Sequence, residues 1–225
     1  MSDGDYRPLD RRPVASRERK VFQRLAAFLA ARGVSPNTIS VAGMLCGMGA
    51  GVAFGLAGRS GDARWLLWLA GAALVQARLV ANLLDGMVAI VSGRASPVGE
   101  LYNEVPDRVS DTAVLVGLGY AEGGNVILGV FAALAAMFTA YVRTTGKAAG
   151  ALMDFGGPMA KQHRMFVVTL TAVFMAVSPV GWRSLPLAGR DIGIPAAALA
   201  LVLAGGLWTA VRRLRRAAAS LRVRS

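Results

Sequence analysis

Apolar residues in this chain come in long runs, not in the short alternations or narrow stripes of a soluble domain. A helix needs about 20 such residues to cross a bilayer. Six runs approach or exceed that length: 35–57, 64–90, 99–118, 125–146, 160–179 and 194–211. Ahead of them, residues 17–31 ("RERKVFQRLAAFLAA") place Val21, Phe22, Leu25, Phe28 and Leu29 on one helical face, the pattern of an amphipathic helix lying on a membrane. "SPN" opens the first run, with Ser35 placed to cap the helix and Pro36 suited to its first turn. The pattern predicts an all-α polytopic membrane protein of six transmembrane helices plus an N-terminal amphipathic surface helix. One membrane domain, 17–211, stands between a basic N-terminal tail, 1–16, and a basic C-terminal tail, 212–225.

Composition agrees: 55% of the 225 residues are hydrophobic and only 17% charged. The net charge of +12 would point to nucleic acid in a soluble protein. Here the arginines gather at the two ends and in short connections, so the expected partner is an anionic lipid surface and no nucleic acid. Eight Lys and Arg residues precede residue 35 and six lie in 212–225; Arg94, Lys147 and Lys161 fall on the same side if there are six spans. Arg59, Arg64, Arg183 and Arg190 fall on the other. The positive-inside rule then puts both termini in the cytoplasm, and the alanine- and arginine-rich composition points to a bacterial inner membrane. The polar first 34 residues do not read as a secretory signal. The lone Cys46 excludes an internal disulfide and reads as a small packing residue.

Polar residues within the runs change the picture. Asn82, Asp85 and Ala89 share a helix face at spacings of three and four. Gly99, Asn103, Asp107 and Asp111 share another at spacings of four. The second run exceeds what a span requires, so these two faces can meet around one cytoplasmic-facing cavity. Gly86 and Gly99 leave room there for a bulky ligand. An ionised group at membrane depth costs about 2.5–3.5 kcal/mol on insertion scales, and several on one wall repel one another unless a cation lies between them. Oxygen ligands converging from two helices suit a hard divalent ion, Mg²⁺ or Mn²⁺. Asp111, taken alone, reads equally well as a salt-bridge partner. No histidine or cysteine cluster for zinc and no phosphate-cradling glycine loop appears, and the broken-helix repeats of a transporter are not visible.

The spacing resembles that of the CDP-alcohol phosphotransferase family, D-x-x-D-G-x-x-A-R-x8-G-x3-D-x3-D. The second aspartate of that pattern falls on Asp85, its glycines on Gly86 and Gly99, its alanine on Ala89 and its last aspartate on Asp107. "SPN", "YVRTTG" (141–146) and "GPMAKQHRM" (157–165) are similar to other segments of the family, and the resemblance runs from Arg17 to the last helix. It implies a six-helix fold and transfer of a phosphatidyl or similar group from a CDP-alcohol, CDP-diacylglycerol above all, to a hydroxyl acceptor with release of CMP. In that family the first three aspartates hold a metal pair and the fourth deprotonates the acceptor. By resemblance Asn82, Asp85, Asn103 and Asp107 are metal ligands, and Asp107 is the general base. Asn37, Asn82, Gly86, Ala89 and Gly99 line the CDP pocket.

Three positions depart from the pattern: Asn82 and Asn103 replace aspartates, and Ile90 replaces the arginine. Two negative charges are lost. Weaker metal binding, a single ion, or compensation by Glu100, Glu104 or Asp111, each within about 60° of Asp107 around the helix, would follow. Pro106 adds a kink that could re-aim Asp107. Arg143, Lys161 and Arg164 are candidates for holding a phosphorylated acceptor, Arg143 foremost; His163 reads as interfacial. A homodimer is an open expectation. The rival reading is a family member without turnover that binds CDP-lipid and regulates.

Overall fold

The computed structural model describes residues 19–59, 61, 63–187 and 189–222. The basic tail at 1–16, the first two residues of the expected surface helix and 223–225 lie outside the described residues. Seven α-helices and one β-hairpin make up the rest. The helices are α1 (Lys20–Ala31), α2 (Pro36–Ala57), α3 (Arg64–Val91), α4 (Pro97–Tyr120), α5 (Val126–Ala148), α6 (Lys161–Val177) and α7 (Ile194–Arg222). Of these, α2, α3, α5 and α7 are long and apolar enough to cross a membrane. Of the other three, α1 has only 12 residues, and α4 and α6 fall outside that measure for different reasons. α4 carries five charged residues between Glu100 and Asp111, and α6 is 17 residues long.

α1 is amphipathic, but its apolar residues divide between two neighbours. Phe22, Ala26 and Leu29 pack on Leu83, Leu84, Met87 and Val88 of α3. Val21, Leu25 and Phe28 face outward, free to enter lipid. At the start of α2, Pro36 occupies the first turn as expected, whereas the Ser35 side chain makes no capping bond. The caps form elsewhere: Ser96 Oγ accepts from Gly99 N at 3.1 Å, and Asn125 Oδ1 from Leu128 N at 3.0 Å.

α2 packs along both α3 and α4, while α5 packs against α4 and α7, and α6 against α3. Small residues allow the closest crossing. A Cβ placed on Gly51 or Gly117 would collide with backbone of the facing helix, α4 and α2 respectively. One core fills the bundle, with Phe54 tilted against Trp68 (centroids 5.5 Å apart) beside Val75, Leu115, Met165 and Leu199. Between α6 and α7 a hairpin of β1 (Ser184–Leu187) and β2 (Arg190–Gly193), paired antiparallel, was not foreseen. α7 also continues beyond residue 211, where the apolar run ends, so residues 212–222 are helical.

Candidate active site

Asp85 and Asp107 face the same space. Residues from α1 to α7 enclose a cavity of about 950 Å³ at one end of the bundle, and both carboxylates line it. So do Asn37, Asn82, Gly86, Ala89, Gly99, Glu100, Asn103, Glu104, Arg143, Lys161 and Arg164. Asp111 does not border the cavity; it lies one turn deeper on α4, between two arginines.

Helix periodicity explains the convergence. On α3, Arg78, Asn82 and Asp85 follow at intervals of four and three, one stripe turned toward α4. On α4, Asn103, Asp107, Ser110 and Asp111 form the opposing stripe. The first turn of α6 adds Lys161 and Arg164.

These groups alternate in sign. Arg78, with no exposed surface, reaches Asp107 Oδ1 at 3.1 Å and Asp111 Oδ1 at 2.7 Å through one terminal nitrogen. Its Nε donates to Ser110 Oγ at 2.7 Å. Arg164 takes the other Asp111 oxygen at 3.0 Å and also donates to the Met159 carbonyl. Asp107 Oδ2 pairs with the Lys161 ammonium, and Asp107 Oδ1 also accepts from the Asn82 amide. Arg108 stands 3.7 Å from Asp107 Oδ2. Both oxygens of Asp107 are therefore held by protein donors. A buried charge is tolerated only with such pairing. Asp111 is accordingly absorbed by the ion-pair network and does not stand in for a missing ligand at the cavity wall.

Asp85 is different. It is 3% exposed, its Oδ2 accepts from Ser40 Oγ at 2.7 Å, and its Oδ1 accepts from Gly86 N at 2.5 Å. Among the described residues no cation lies within ion-pair distance of it. A buried carboxylate answered only by neutral donors beside a polar cavity is suited to a bound cation. Asn82 and Asn103 offer uncharged amide oxygens close by. That donor set fits one hard divalent ion. A pair is fitted less well, because Asn82 and Asn103 bring no charge and protein donors already occupy both oxygens of Asp107.

Glu104 pairs with Arg143 and with Arg108 (3.4 Å), closing one side of the cavity, while Glu100 is exposed at its rim. Arg143 also lies 5.2 Å from the centre of the Phe155 ring. His163 is exposed outside the cavity. Sequence reasoning missed Arg78, Ser40 and Arg213. Arg213 donates to the carbonyls of Thr139 (2.9 Å), Phe155 (3.0 Å) and Gly156 (3.0 Å), anchoring the segment that leads into α6. A signal existed for Arg78 alone: an arginine inside an apolar run, four residues before Asn82 on the same face.

No family model matches the chain. Curated relatives do. The phosphatidylinositol phosphate synthase of Streptomyces avermitilis is 28% identical over 200 residues, 86% of this chain and 76% of the relative. That of Mycobacteroides abscessus is 25% identical over 169 residues, covering 72% and 73%. Among solved structures, the phosphatidylinositol phosphate synthase of Mycobacterium tuberculosis with CDP-DAG bound superimposes with a TM-score of 0.71 at 21% identity, over 88% of this chain and 94% of that one. The same protein is also solved in complex with manganese and citrate. Spacing, bundle and relatives point the same way: the chain is similar in sequence and fold to phosphatidylinositol phosphate synthases, while its own motif departs from the spacing pattern at Asn82, Ile90 and Asn103.

Proposed function

We propose that this integral membrane enzyme transfers the phosphatidyl group of CDP-diacylglycerol, or a similar CDP-alcohol, to the hydroxyl of a phosphorylated polyol and releases CMP. The observation that carries this reading is the shared cavity of Asp85 and Asp107, framed by Arg143 and Lys161 at its wall. The names of the curated relatives favour an inositol phosphate as the acceptor.

In the reaction the acceptor oxygen bonds to the β-phosphorus and the bond from that phosphorus to the bridging oxygen breaks. CMP leaves with that oxygen, and the hydroxyl proton passes to a base. Asp107 is that base. Three donors occupy its oxygens in the free protein, Arg78, Asn82 and Lys161. Arg78 is fixed by Ser110 and Asp111, whereas Lys161 sits on a flexible four-carbon stem and is drawn off Asp107 by an arriving phosphate. The nucleotide packs where Gly86, Ala89 and Gly99 leave the wall without bulk, near Asn37 and Asn82. Arg143, already over the Phe155 ring, binds the acceptor phosphate. Asp85, with the amide oxygens of Asn82 and Asn103, would hold a divalent cation, Mg²⁺ or Mn²⁺, which would supply charge neutralisation for the pyrophosphate. Anionic lipids at the basic ends and a second copy of the chain complete the partners of this reading.

The test is CMP release from CDP-diacylglycerol by the purified protein with Mg²⁺ or Mn²⁺ and a panel of acceptors, inositol phosphate and glycerol phosphate included. Turnover with one acceptor, lost in Asp107→Asn, is the expected result. One observation favours a second reading, a CDP-lipid-binding protein without turnover: the full occupation of the Asp107 oxygens together with the two asparagines. CDP-lipid binding with no CMP from any acceptor would select it.

A further inference from the structure

We propose that the Lys161 ammonium is the second cation of this site, built into the chain in place of a second divalent ion. The proposal rests on the family reading above and concerns how its charge is balanced. Of the four carboxylates that line the cavity, Asp85 and Asp107 are the buried ones, and they are treated differently. Asp107 is closed by protein cations, with Lys161 on Oδ2 and Arg78 on Oδ1 at 3.1 Å. Asp85 has only a hydroxyl and a backbone N–H. One half of the site thus carries its own positive charge and the other half lacks any.

The two asparagines follow from the same arrangement. A metal pair needs bridging carboxylates, because two close dications repel strongly at low dielectric. With Asn82 and Asn103 facing the cavity, bridging anionic ligands are missing, and Asn82 instead turns its amide N–H toward Asp107. An ammonium carries half the charge of a divalent ion and brings its own donors. It therefore suits a site that has given up two negative charges. Lys161 is placed for this by the N-terminus of α6, where the chain enters the helix at Ala160, with Arg164 one turn on, locked to Asp111. Arg164 fixes the helix on Asp111, and Lys161, one turn earlier, reaches Asp107. An ammonium on a flexible stem also moves with a phosphate, which a coordinated ion on three carboxylates does not.

The experiment counts metal directly, independent of turnover: titration of detergent-purified protein with Mn²⁺, bound ion read from the loss of the free Mn²⁺ electron paramagnetic resonance signal. The wild-type chain is expected to bind one Mn²⁺. Lys161→Met combined with Asn82→Asp and Asn103→Asp, which opens Asp107 and supplies the missing carboxylates, is expected to bind two, and Lys161→Arg, which keeps the charge, one. Two ions or none in the wild type overturns the proposal without any variant, as does a triple variant of native helical content that still binds one. If stoichiometry is as expected and no acceptor yields CMP, the transferase reading fails and the charge assignment stands; turnover with two bound ions in the wild type gives the reverse.

Discussion

Arg78 has no exposed surface, yet it touches Asp107, Asp111 and Ser110 at once. Each of those groups was desolvated on the understanding that a cation would be there. Arg78→Met keeps length and apolarity but leaves two buried carboxylates short of a partner, so a loss of about 3–5 kcal/mol is expected, read as a large fall in thermal midpoint in detergent. Asp85→Asn should behave in the opposite manner. Its partners are neutral groups that an amide can still satisfy, the oxygen accepting from Gly86 N and the N–H donating to Ser40 Oγ, which keeps its own bond to the Pro36 carbonyl, so the midpoint should hold or rise while Mn²⁺ binding disappears. An Asp85→Asn protein that unfolds would mean this carboxylate is structural. The contrast also marks what was readable beforehand. Asn82, Asp85, Asn103 and Asp107 announce themselves by spacing, because helix periodicity alone turns them to common faces. Which carboxylate would be neutralised by which cation depends on α6 folding back beside α3 and α4, and no local pattern encodes that. Asp111, a candidate stand-in carboxylate in sequence, and Lys161, a candidate for holding the acceptor, both meet their ion-pair partners only through that packing.

The elements themselves were largely legible, since long apolar runs dictate where helices lie in a lipid solvent whatever packs against them. Two parts were not. The hairpin at 184–193 has four-residue strands with a proline in one, too short for alternation to register. The end of α7 was placed by apolarity, although "RRLRRAAASLR" has strong intrinsic helix propensity and simply leaves the apolar zone as a helix. How closely two elements approach is set by glycine, and that yields a prediction for the α2–α4 crossing. Gly117→Val forces a side chain into the backbone at Gly51. A loss of at least the ~1–3 kcal/mol typical of overpacking is expected, with yield and thermal midpoint falling together. Gly181→Ala, where nothing lies within 4 Å of the added methyl, should leave both unchanged. Equal tolerance at the two positions would mean α2 and α4 do not cross at these glycines.

At the scale of the whole molecule the two ends of the bundle differ. Around the cavity, Arg94 donates to the Gly33 carbonyl at 3.3 Å and Arg216 pairs with Asp154 at 3.2 Å, tying the 91–97 and 148–161 connections to α1 and α7. At the opposite end Glu122 bridges Arg64 (3.1 Å) and Arg183 (3.2 Å), joining the 58–64, 120–126 and 178–194 connections. Connections therefore alternate between ends, an order compatible with six crossings, although among the described residues four helices are long and apolar enough by themselves. The remaining two, α4 and α6, are the ones that carry the polar site, and their charges are answered inside the bundle instead of by lipid. Since the cavity end holds most of the basic residues, it should face the cytoplasm. With Cys46→Ser as background, Ala149→Cys and Gly181→Cys each place one exposed thiol, at the cavity end and the far end respectively. In intact cells a membrane-impermeant maleimide should label the Gly181→Cys protein and spare the Ala149→Cys protein until the membrane is opened. Labelling of both from outside would contradict six crossings. Labelling of Ala149→Cys alone would keep six crossings and invert the protein, putting the cavity of Asp85 and Asp107 outside the cell.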